Sequence, residues 1–456
     1  MKKCPILFAI CLALCLPLLA CDNSESSNEP VRVPAIIAGT KTYDAADGGA
    51  LVFTCDSYCN VKNVSIAEQS VAFTQEDVCI TIEGTALPRL ESGKIWVQIT
   101  FEGNVSKMCS FTYNAVPVDL AIVGPVGVAY PYINAAKQYL MEKNAGIIDY
   151  GGYTWDAAAP ILIEWKCEDA NADSFKVEYA TKADYSNAVT VMADKDTRSV
   201  EVYNLYIATE YYVRISSYNA EEKLLHTADG SFETTDIGPR VMYIDHICNV
   251  RDMGGYVTSD GKVIAQGMIY RSGTLTTGDK SIYLTSAGQE YMSKDLGIKT
   301  EIDFRSEAEV GLSESLIPGA KLVYIPVVGY SSAFSDPEPY RKVFSIFADK
   351  NNYPIVFHCL GGADRTGTVA FLLNALLGVS EDKLIKDYEF TSFSLFGIGD
   401  VRSASGGTYG QLFQPFRKTL NTYKGETLQE KVESYLLSIG VTAKEIANIK
   451  AIMCAE

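Results

Sequence analysis

The pattern of apolar and polar positions divides the chain into two kinds of segment. Up to about residue 236, apolar residues alternate with polar ones in short runs. From residue 240 onward, short apolar runs alternate with longer stretches of helical periodicity. Alternation is typical of strands with one buried face, whereas the mixed pattern indicates an α/β domain. The prediction is a multidomain chain with two all-β, sandwich-like domains followed by one α/β domain.

Residues 31–117 are predicted to form the first β-sandwich-like domain. Runs such as Val78–Ile82 and Val97–Phe101 alternate and are separated by turns that contain glycine. We find no catalytic constellation in this segment. Residues 118–150 mix glycine, proline and tyrosine around one helical stretch near 135–142, and are predicted to be a connector.

Residues 151–236 are predicted to form the second β domain. Trp155 opens the segment, the strand Ile161–Trp165 follows, and a late strand at Thr209–Ile215 comes after Leu205. This order resembles a fibronectin type III sandwich. We interpret its aromatic residues as core residues rather than a sugar-binding surface, and residues 234–239 as a linker.

The α/β domain is predicted at 240–456, and its most informative stretch is 353–368. The apolar run Ile355–Phe357 predicts a short buried strand, which ends at His358 and Cys359. A glycine-containing loop then leads to Arg365, and the apolar residues that follow predict a helix buried on most sides. In such a strand, loop and helix, backbone N–H groups and the helix N-terminus converge on one anion.

A cysteine at the start of this loop and an arginine at its end specify a chemistry. The amides, the helix dipole and the guanidinium favour a thiolate at Cys359. Arg365 can bind two phosphoryl oxygens as a fork and stabilise the charge that develops on them. The residues therefore predict a nucleophile that forms a phosphocysteine intermediate; the alternative is a buried structural cysteine beside a glycine turn.

The pattern His-Cys-x5-Arg-Thr-Gly, which begins at His358, resembles the signature of the cysteine-dependent protein tyrosine phosphatase superfamily. Two upstream motifs narrow the resemblance to a bacterial tyrosine phosphatase family: Asn-x-Arg-Asp-x-Gly-Gly-Tyr at 249–256, with a later Arg-Ser-Gly at 271–273, and Asp-x-Arg-Ser-x-x-Glu at 303–309. That family includes secreted tyrosine and dual-specificity phosphatases, some active on phosphoinositides. The resemblance covers about 240–456 and implies no cofactor.

The resemblance also implies roles for individual residues. Asp364 is expected to be the general acid, with Asp336 in the lid-like loop 326–340 as its rival. Thr366 is expected to bond the sulfur, and His358 to orient the loop. The expected substrate-binding residues are Leu360, Gly361, Gly362, Ala363, Arg305, Asp303 and Arg251. For Arg251 and Arg271, a structural role in pairs with carboxylates is the favoured single interpretation, and a place beside the anion site is the alternative. Asp303 is interpreted as an anchor behind the site, and Arg305 as a contact to the substrate or to the loop.

One position departs from the family pattern. The family often carries Ala-Gly-Lys-Asp-Arg in the loop, whereas this chain has Gly-Gly-Ala-Asp-Arg at 361–365. Without the lysine, a point charge that would contact additional phosphates is missing. This weakens, without excluding, a phosphatase for inositol phosphates or phosphoinositides.

The N-terminus carries a targeting pattern. Lys2 and Lys3 precede an apolar stretch, and Leu18-Leu-Ala-Cys21 ends it, which resembles a bacterial lipobox. We expect a signal peptide at 1–20, lipidation of Cys21 and a polar tether at 21–30. A plain secretory signal is the alternative. We therefore expect the protein to lie outside the cytoplasm, anchored by its lipid to a bacterial membrane, with the outer membrane as the expected one.

Charge and cysteine usage set further bounds. The formal net charge is −17, and residues 21–239 carry 31 acidic but only 15 basic side chains, which argues against nucleic-acid binding. Four cysteines of the first domain (Cys55, Cys59, Cys79, Cys109) could form disulfides in an oxidising compartment. The chain has 3 histidines, so a histidine-based metal centre is not expected.

Together these observations predict an extracytoplasmic lipoprotein whose C-terminal domain hydrolyses phosphate monoesters through Cys359. The expected substrate is a phosphotyrosine or mixed phosphoprotein. The alternatives are a phosphatase for inositol phosphates or phosphoinositides, and a non-catalytic lipoprotein that binds phosphorylated ligands. The partners of the β domains cannot be predicted.

Overall fold

The computed structural model describes residues 33–45, 48–88, 90, 92–114, 119–142, 146–151, 156–277, 281–310, 312–394 and 401–454. The predicted signal peptide, tether, Cys21 and Trp155 lie outside these residues. The chain divides into two compact units, residues 1–117 and 118–456. No helix of the described residues is long and apolar enough to cross a membrane.

The first unit is a sandwich of two sheets. One sheet has four strands in the spatial order Ile36–Gly39, Ala50–Cys55, Cys79–Glu83 and Thr74–Glu76. The other has five, in the order Thr42–Asp44, Ser106–Asn114, Gly93–Phe101, Val61–Ile66 and Gln69–Val71. Alternate residues of these strands, such as Leu51, Ile82 and Ile99, are fully buried between the sheets, as the alternation predicts.

The four cysteines of this unit are free thiols in the structure, so none of the possible disulfides is formed. Burial and the neighbouring Cys55 raise the pKa of Cys109 to about 11. Cys59 and Cys79 also lie within electrostatic range of Cys55.

The second unit begins with another sandwich. Its three-stranded sheet consists of Leu120–Gly124, Ile161–Cys167 and Ser199–Val202. Its five-stranded sheet runs Val128–Ala129, Leu224–Thr234, Glu210–Tyr218, Ser174–Ala180 and Val189–Asp194. Trp165, Phe175 and Ile215 fill the space between the sheets, so these aromatic rings are core residues.

The structure corrects the predicted connector at 118–150. Leu120–Gly124 pairs antiparallel with Ile161–Cys167, and Val128–Ala129 pairs with Leu224–Thr234, so both strands belong to the second sandwich. The helix Asn134–Met141, here called the connector helix, follows, and then the 3-10 turn Ile147–Asp149. Sequence reasoning missed these strands because glycine and proline interrupt their alternation.

The α/β domain is built on a six-stranded sheet. Its spatial order is Arg240–Val241, Arg251–Asp252, Ile269–Ser272, Ile355–His358, Thr300–Asp303 and Lys321–Tyr324. The strand Ile355–His358 lies inside the sheet and runs parallel to both neighbours. Because parallel strands end together, their carboxyl ends bring the loops that follow them to one edge.

Helices surround this sheet. They are Ser286–Glu290, with the π-helical turn Tyr291–Asp295, then Glu307–Val310, Ser332–Ser335, Glu338–Phe347, Asp364–Leu376, Glu381–Glu389, Gly407–Leu420, Leu428–Ser438 and Ala443–Met453. Short 3-10 turns occur at Lys350–Asn352 and Phe390–Phe393. The helix Asp364–Leu376, here called the signature helix, is apolar on all sides and buried, as its sequence predicts. Both predicted capping boxes, at Thr427 and Thr442, are present.

Candidate active site

The candidate site lies where the strand Ile355–His358 ends and the signature helix begins. Residues 359–363, here called the catalytic loop, connect the two elements. Cys359 is 3% exposed, directly beyond the strand, and Arg365 lies in the first turn of the helix. The backbone thus forms the strand, loop and helix predicted from the sequence, with the helix N-terminus next to the cysteine.

Hydrogen bonds from outside hold the carbonyl groups of the catalytic loop. The N–H of Thr274 donates to the Leu360 carbonyl at 2.9 Å, and the Asn249 amide donates to the carbonyls of Gly361 and Gly362 at 3.0 and 3.1 Å. In a trans peptide the N–H points opposite to the carbonyl. The N–H groups of residues 361, 362 and 363 therefore face away from these donors, as an anion-binding loop requires.

Gly362 is required at its position for two reasons. Its φ is +66°, in the left-handed region that favours glycine. A Cβ atom there would lie 2.4 Å from the carbonyl oxygen of Ser272, on the neighbouring strand. The catalytic loop therefore packs directly on the backbone of the sheet.

Behind the loop, one carboxylate binds two arginines. Asp387 accepts from Arg251 at 2.9 Å and from Arg271 at 2.6 Å, and all three side chains are buried. Arg271 also donates to the Gly362 carbonyl at 2.8 Å. Burial and the neighbouring Arg251 lower the pKa of Arg271 to about 10, so it is still a cation at neutral pH. It lies within electrostatic range of Cys359.

The structure places Arg251 away from any substrate. Its guanidinium is 1% exposed and donates to Asp387, Asn249 and Thr391. We therefore assign Arg251 to positioning Asn249, which holds the catalytic loop. The pair with a carboxylate that the sequence favoured is formed, and the place of Arg251 among the substrate-binding residues is corrected.

Arg305 and Asp303 form another internal pair. The Arg305 Nη2 atom lies 2.8 Å from Asp303 Oδ2, and its Nη1 donates to the Thr276 carbonyl at 2.9 Å. Both side chains are at most 5% exposed, so they form the wall of the site and not its substrate-contacting surface. Asp303 thus acts as an anchor, one of the interpretations of the sequence, whereas the expected substrate contact of Arg305 is corrected.

Arg365 is the more accessible arginine. Its side chain is 26% exposed, and Nη1 lies 3.4 Å from the Phe304 carbonyl and 3.5 Å from Glu309 Oε1. These contacts are long and partly solvated, so a bound phosphoryl group can replace them at small cost.

His358 is completely buried between two carboxylates of the adjacent strand. Its Nε2 lies 2.9 Å from Glu301 Oε1, and its Nδ1 lies 3.8 Å from Asp303 Oδ1. Ligand atoms of these three residues lie within 4.8 Å of one another, but Arg305 and Ser315 already donate to the carboxylates. The Nε2 contact orients the histidine at the start of the catalytic loop, while its Nδ1 is buried without a hydrogen-bond partner among the described residues.

The Thr366 hydroxyl is buried and has no hydrogen-bond partner among the described residues. The expected bond from this hydroxyl to the cysteine sulfur is therefore not formed in this structure.

Asp364 lies at the first position of the signature helix with a half-buried side chain. Its Oδ1 accepts from the Tyr330 hydroxyl at 2.5 Å, and Arg402 Nη2 lies 3.2 Å from its Oδ2. Tyr330 Oη also lies 2.9 Å from Tyr388 Oη. The rival acid, Asp336, is exposed at the end of the helix Ser332–Ser335.

The segment predicted to be a lid is a packed wall of the site. Residues 332–335 and 338–347 are helical, and Val327, Tyr330, Ala333 and Tyr340 are buried. A Cβ on Gly329 would lie 3.0 Å from the backbone of Asp364, so the segment sits directly on the signature helix. Sequence reasoning read its polar residues as a loop because the apolar residues that anchor it are few and irregularly spaced.

The mouth of the site includes Leu360, which is 44% exposed, whereas Ala363 is 2% exposed. Position 363 is where the family often carries lysine. The guanidinium of Arg402 instead places a cation beside Asp364. The sequence around Arg402 contains no recognisable motif, so the sequence analysis did not identify this residue.

Other residues of the site also escaped assignment. Asn249 lies in a recognised motif, but the sequence analysis assigned it no role. Its contact with the catalytic loop could not be predicted because the two are far apart along the chain. Asp387, Tyr330, Arg402 and Glu301 are brought in by separate helices, loops and strands.

Comparison with known proteins agrees with the motifs. Residues 242–455 match the model of the tyrosine phosphatase family. A putative tyrosine-protein phosphatase of Cupriavidus necator is 30% identical over 179 residues, covering 33% of this chain and 63% of that protein. A tyrosine-protein phosphatase of Nostoc commune is 29% identical over 147 residues, covering 28% of this chain and 46% of the relative. The chain thus spans about half to two thirds of the length of these relatives.

Solved structures give weaker likenesses. The catalytic core of Siw14 is 14% identical with a TM-score of 0.25, covering 43% of this chain and 95% of that one. The fibronectin(III)-like modules of CbhA from Clostridium thermocellum are 9% identical with a TM-score of 0.17, covering 46% of this chain and 100% of that one. These scores are too low to support an argument about fold or function.

The signature at 358–367, the two upstream motifs and the family match describe the same segment, whose backbone forms an anion-binding loop around a buried cysteine. Residues 242–455 of this chain therefore match the tyrosine phosphatase family in motifs and in the geometry of the loop.

Proposed function

We propose that this domain hydrolyses phosphate monoesters, with phosphotyrosine in proteins or peptides as the principal substrate. The observation that carries the proposal is the orientation of the catalytic loop, whose carbonyls are bound from behind by Thr274, Asn249 and Arg271. The N–H groups of three successive residues and the helix N-terminus are thereby available to one phosphoryl group. The names of the two bacterial relatives support the choice of phosphotyrosine.

In the first step the Cys359 thiolate attacks phosphorus, and an S–P bond forms as the P–O bond to the leaving group breaks. Arg365 and the loop N–H groups bind the three oxygens on which charge develops. Asp364 donates a proton to the leaving oxygen. In the second step Asp364 accepts a proton from water, the water oxygen bonds to phosphorus, and the S–P bond breaks to release phosphate and the thiolate.

The test uses the full chain with a phosphotyrosine peptide, a phosphoserine peptide, a phosphoinositide and inositol hexakisphosphate. We expect turnover of the phosphotyrosine peptide by the wild type, and loss of turnover in Cys359→Ser. The matched control is Cys454→Ser, a half-buried thiol of the same domain, which should keep wild-type rates.

The outcomes separate the possibilities. No turnover of any substrate by the wild type would contradict the enzymatic function and favour a phosphate-binding protein. Preferential turnover of inositol hexakisphosphate or the phosphoinositide would replace the proposed substrate. Turnover that survives in Cys359→Ser would contradict the phosphocysteine step.

Arg365→Lys tests transition-state binding separately. Lysine keeps the positive charge but cannot form the planar, bidentate contact with phosphoryl oxygens. We expect kcat to fall by roughly 10²-fold, as for removal of a single oxyanion donor, with a smaller change in KM. An unchanged kcat would show that Arg365 does not contact the phosphoryl group.

We also propose that the protein is attached to a bacterial membrane through lipidated Cys21, on the pattern Leu18-Leu-Ala-Cys21. The test is metabolic labelling with a tagged fatty acid, followed by membrane fractionation. Label and membrane association should both be lost in Cys21→Ala; label that persists in this variant would contradict the proposal.

A further inference from the structure

The connector helix, Asn134–Met141, lies outside the tyrosine phosphatase family segment but packs on that domain. Its buried residues share one apolar cluster with three residues of the catalytic domain. The cluster consists of Tyr132, Ala136, Tyr139, Leu140, Ile147, Ala157, Val241, Phe390 and Phe393. In addition, Lys386 Nζ donates to the carbonyls of Leu140 and Glu142 at 3.0 and 2.9 Å, at the C-terminal end of the helix.

From this helix, one polar side chain reaches a carboxylate near the site. The Tyr139 hydroxyl donates to Glu389 Oε2 at 2.5 Å, and both residues are buried. Burial and the Glu389 carboxylate raise the pKa of Tyr139, so the hydroxyl keeps its proton and acts as a donor.

The other oxygen of the same carboxylate holds the segment that carries Arg402. The N–H of Ala404 donates to Glu389 Oε1 at 2.7 Å, and the N–H of Arg402 donates to the Ser392 hydroxyl at 2.9 Å. Residues 401–404 belong to no helix or strand. Their position therefore depends on such side-chain anchors rather than on a regular backbone ladder.

Arg402 in turn holds the proposed acid. Its Nη2 lies 3.2 Å from Asp364 Oδ2, its Nε donates to Oδ1 at 3.4 Å, and its guanidinium stacks on Tyr409 at 4.2 Å. The hydrogen bonds to Asp364 are long, so a small displacement of residues 401–404 weakens them. A continuous series of contacts thus runs from the connector helix to Asp364 at the start of the signature helix.

We propose that Tyr139 is a positioning residue for the reaction: through Glu389 it fixes residues 401–404, and with them the Arg402 guanidinium that orients the Asp364 carboxyl group. The connector helix is then part of the catalytic unit, although it precedes the family segment by about a hundred residues of sandwich. The proposal rests on the proposed function, because Asp364 matters only if the domain transfers phosphoryl groups.

The test compares Tyr139→Phe with wild type in the full chain, on two substrates that differ in their need for an acid. A phosphotyrosine peptide releases a phenol with a pKa of about 10 and needs a proton in the transition state. para-Nitrophenyl phosphate releases a much more acidic phenol, which leaves without protonation. Because the second step uses Asp364 for both substrates, the measured quantity is the single-turnover rate of leaving-group release, and misplacing Asp364 should slow that first step selectively for the peptide.

We expect Tyr139→Phe to lower the single-turnover rate of tyrosine release from the phosphotyrosine peptide roughly threefold to tenfold, part of the 10²–10⁴-fold that a general acid supplies. The single-turnover rate of para-nitrophenol release should change less than twofold. The matched control is Tyr132→Phe, which removes a hydroxyl from the same cluster that donates to the carbonyls of Ile237 and Pro239. Tyr132→Phe should lower the melting temperature about as much as Tyr139→Phe does, but it should not slow one substrate more than the other.

A wild type inactive on both substrates would overturn the proposed function. An active wild type with equal losses on both substrates in Tyr139→Phe, or no loss at all, would overturn the positioning role alone. If Tyr139→Phe does not fold, Lys386→Gln loosens the end of the connector helix from outside the apolar cluster. It should give the same selective loss, and an unselective change there would likewise contradict the inference.

Discussion

At the residue scale, the catalytic loop depends on a glycine that packs against the sheet. Gly362 combines a φ of +66° with the absence of room for a Cβ atom beside the Ser272 carbonyl. Any side chain there must displace either the loop or the strand beneath it. The positions of the loop N–H groups therefore depend on Gly362 as much as on the groups that donate to the loop carbonyls.

We expect Gly362→Ala to reduce kcat by roughly 10²-fold or more, because the N–H groups that stabilise the developing charge move. Phosphate hydrolysis by the purified variant is the measurement. Gly261→Ala is the control: its φ is +83°, but nothing lies within 4 Å of the added Cβ. That variant should lose only about 1 kcal/mol of stability and keep its activity. Equal activity of both variants would contradict the steric argument.

Asp156 is a second residue whose environment has a measurable consequence. Burial raises its pKa to about 7, against hydrogen bonds from the N–H groups of Ala157, Asn249 and Val250 and the charge of Arg251, which lower it. Its Oδ2 is buried and unpartnered. The folded state therefore retains a proton on Asp156 at pH values where the unfolded chain has lost it.

For a carboxyl group with a raised pKa, the folded state binds more protons than the unfolded state between about pH 4 and 7, so stability falls as pH rises through this window. The contribution is at most about 1.4 kcal/mol per pH unit. Asp156→Asn should remove this pH dependence. The unfolding free energy of the variant minus that of the wild type should therefore increase from pH 5 to 7 and then level off. Urea titrations at pH 5, 6, 7 and 8 measure the difference, and a constant difference would contradict the assignment.

At the element scale, the helix Glu381–Glu389 organises the site although it carries no residue that touches substrate. Four successive side chains have separate tasks. Lys386 binds the connector helix, Asp387 binds Arg251 and Arg271, Tyr388 contacts Tyr330, and Glu389 joins Tyr139 to residues 401–404. A helix presents successive residues about 100° apart, so one element can contact several neighbours.

Asp387→Asn should both destabilise the domain and slow the reaction. It leaves two buried guanidinium groups without their carboxylate, which typically costs about 3–5 kcal/mol. It also releases Arg271 from its orientation beneath Gly362. We expect a large fall in unfolding free energy and a lower kcat in whatever fraction stays folded at low temperature.

Asp229→Asn is the comparison for that variant. Asp229 pairs with Arg214 at 2.7 Å on the surface of the second sandwich, where both side chains are at least 40% exposed. Its loss should cost less than about 1 kcal/mol. Similar costs for the two variants would show that the Asp387 cluster is not the support that its burial indicates.

At the scale of the whole molecule, the family segment is not a self-contained folding unit. Phe390 and Phe393 share a buried apolar cluster with residues that precede the segment, such as Tyr139, Leu140 and Ile147, and residues 118–456 form one compact unit. A fragment that begins at 240 exposes this apolar surface and loses the partner of Glu389.

We expect a fragment 119–456 to be soluble, monodisperse and as active as the full chain, because it contains the complete site and its supports. A fragment 240–456 should aggregate or bind a hydrophobic dye, and its kcat on a phosphotyrosine peptide should be lower. Size-exclusion chromatography and steady-state kinetics measure both properties. A fully active, monomeric 240–456 fragment would contradict this account.

The sequence by itself determined the fold class and the residues that are adjacent along the chain. The alternation of residues 50–55 and 93–101, the apolar strand at 355–357 and the buried signature helix follow from periodicities that local sterics and burial impose. The signature at 358–367 identified Cys359 and Arg365 because strand, loop and helix are local structure. The capping boxes at Thr427 and Thr442 were readable for the same reason.

Only the tertiary structure decided how this local motif is supported. Asn249 holds the catalytic loop directly, Asp387 supports it through Arg271, and Arg402 binds Asp364 just beyond it. These residues come from elements far apart in the chain. The tertiary structure also decided between binding a ligand and binding a buried partner for Arg251, Asp303 and Arg305, because a charged side chain looks the same in sequence in both cases. Periodicity shows which face of an element is buried, but it does not show which other element covers that face. The proposed role of Tyr139 depends entirely on its packing partner, Glu389.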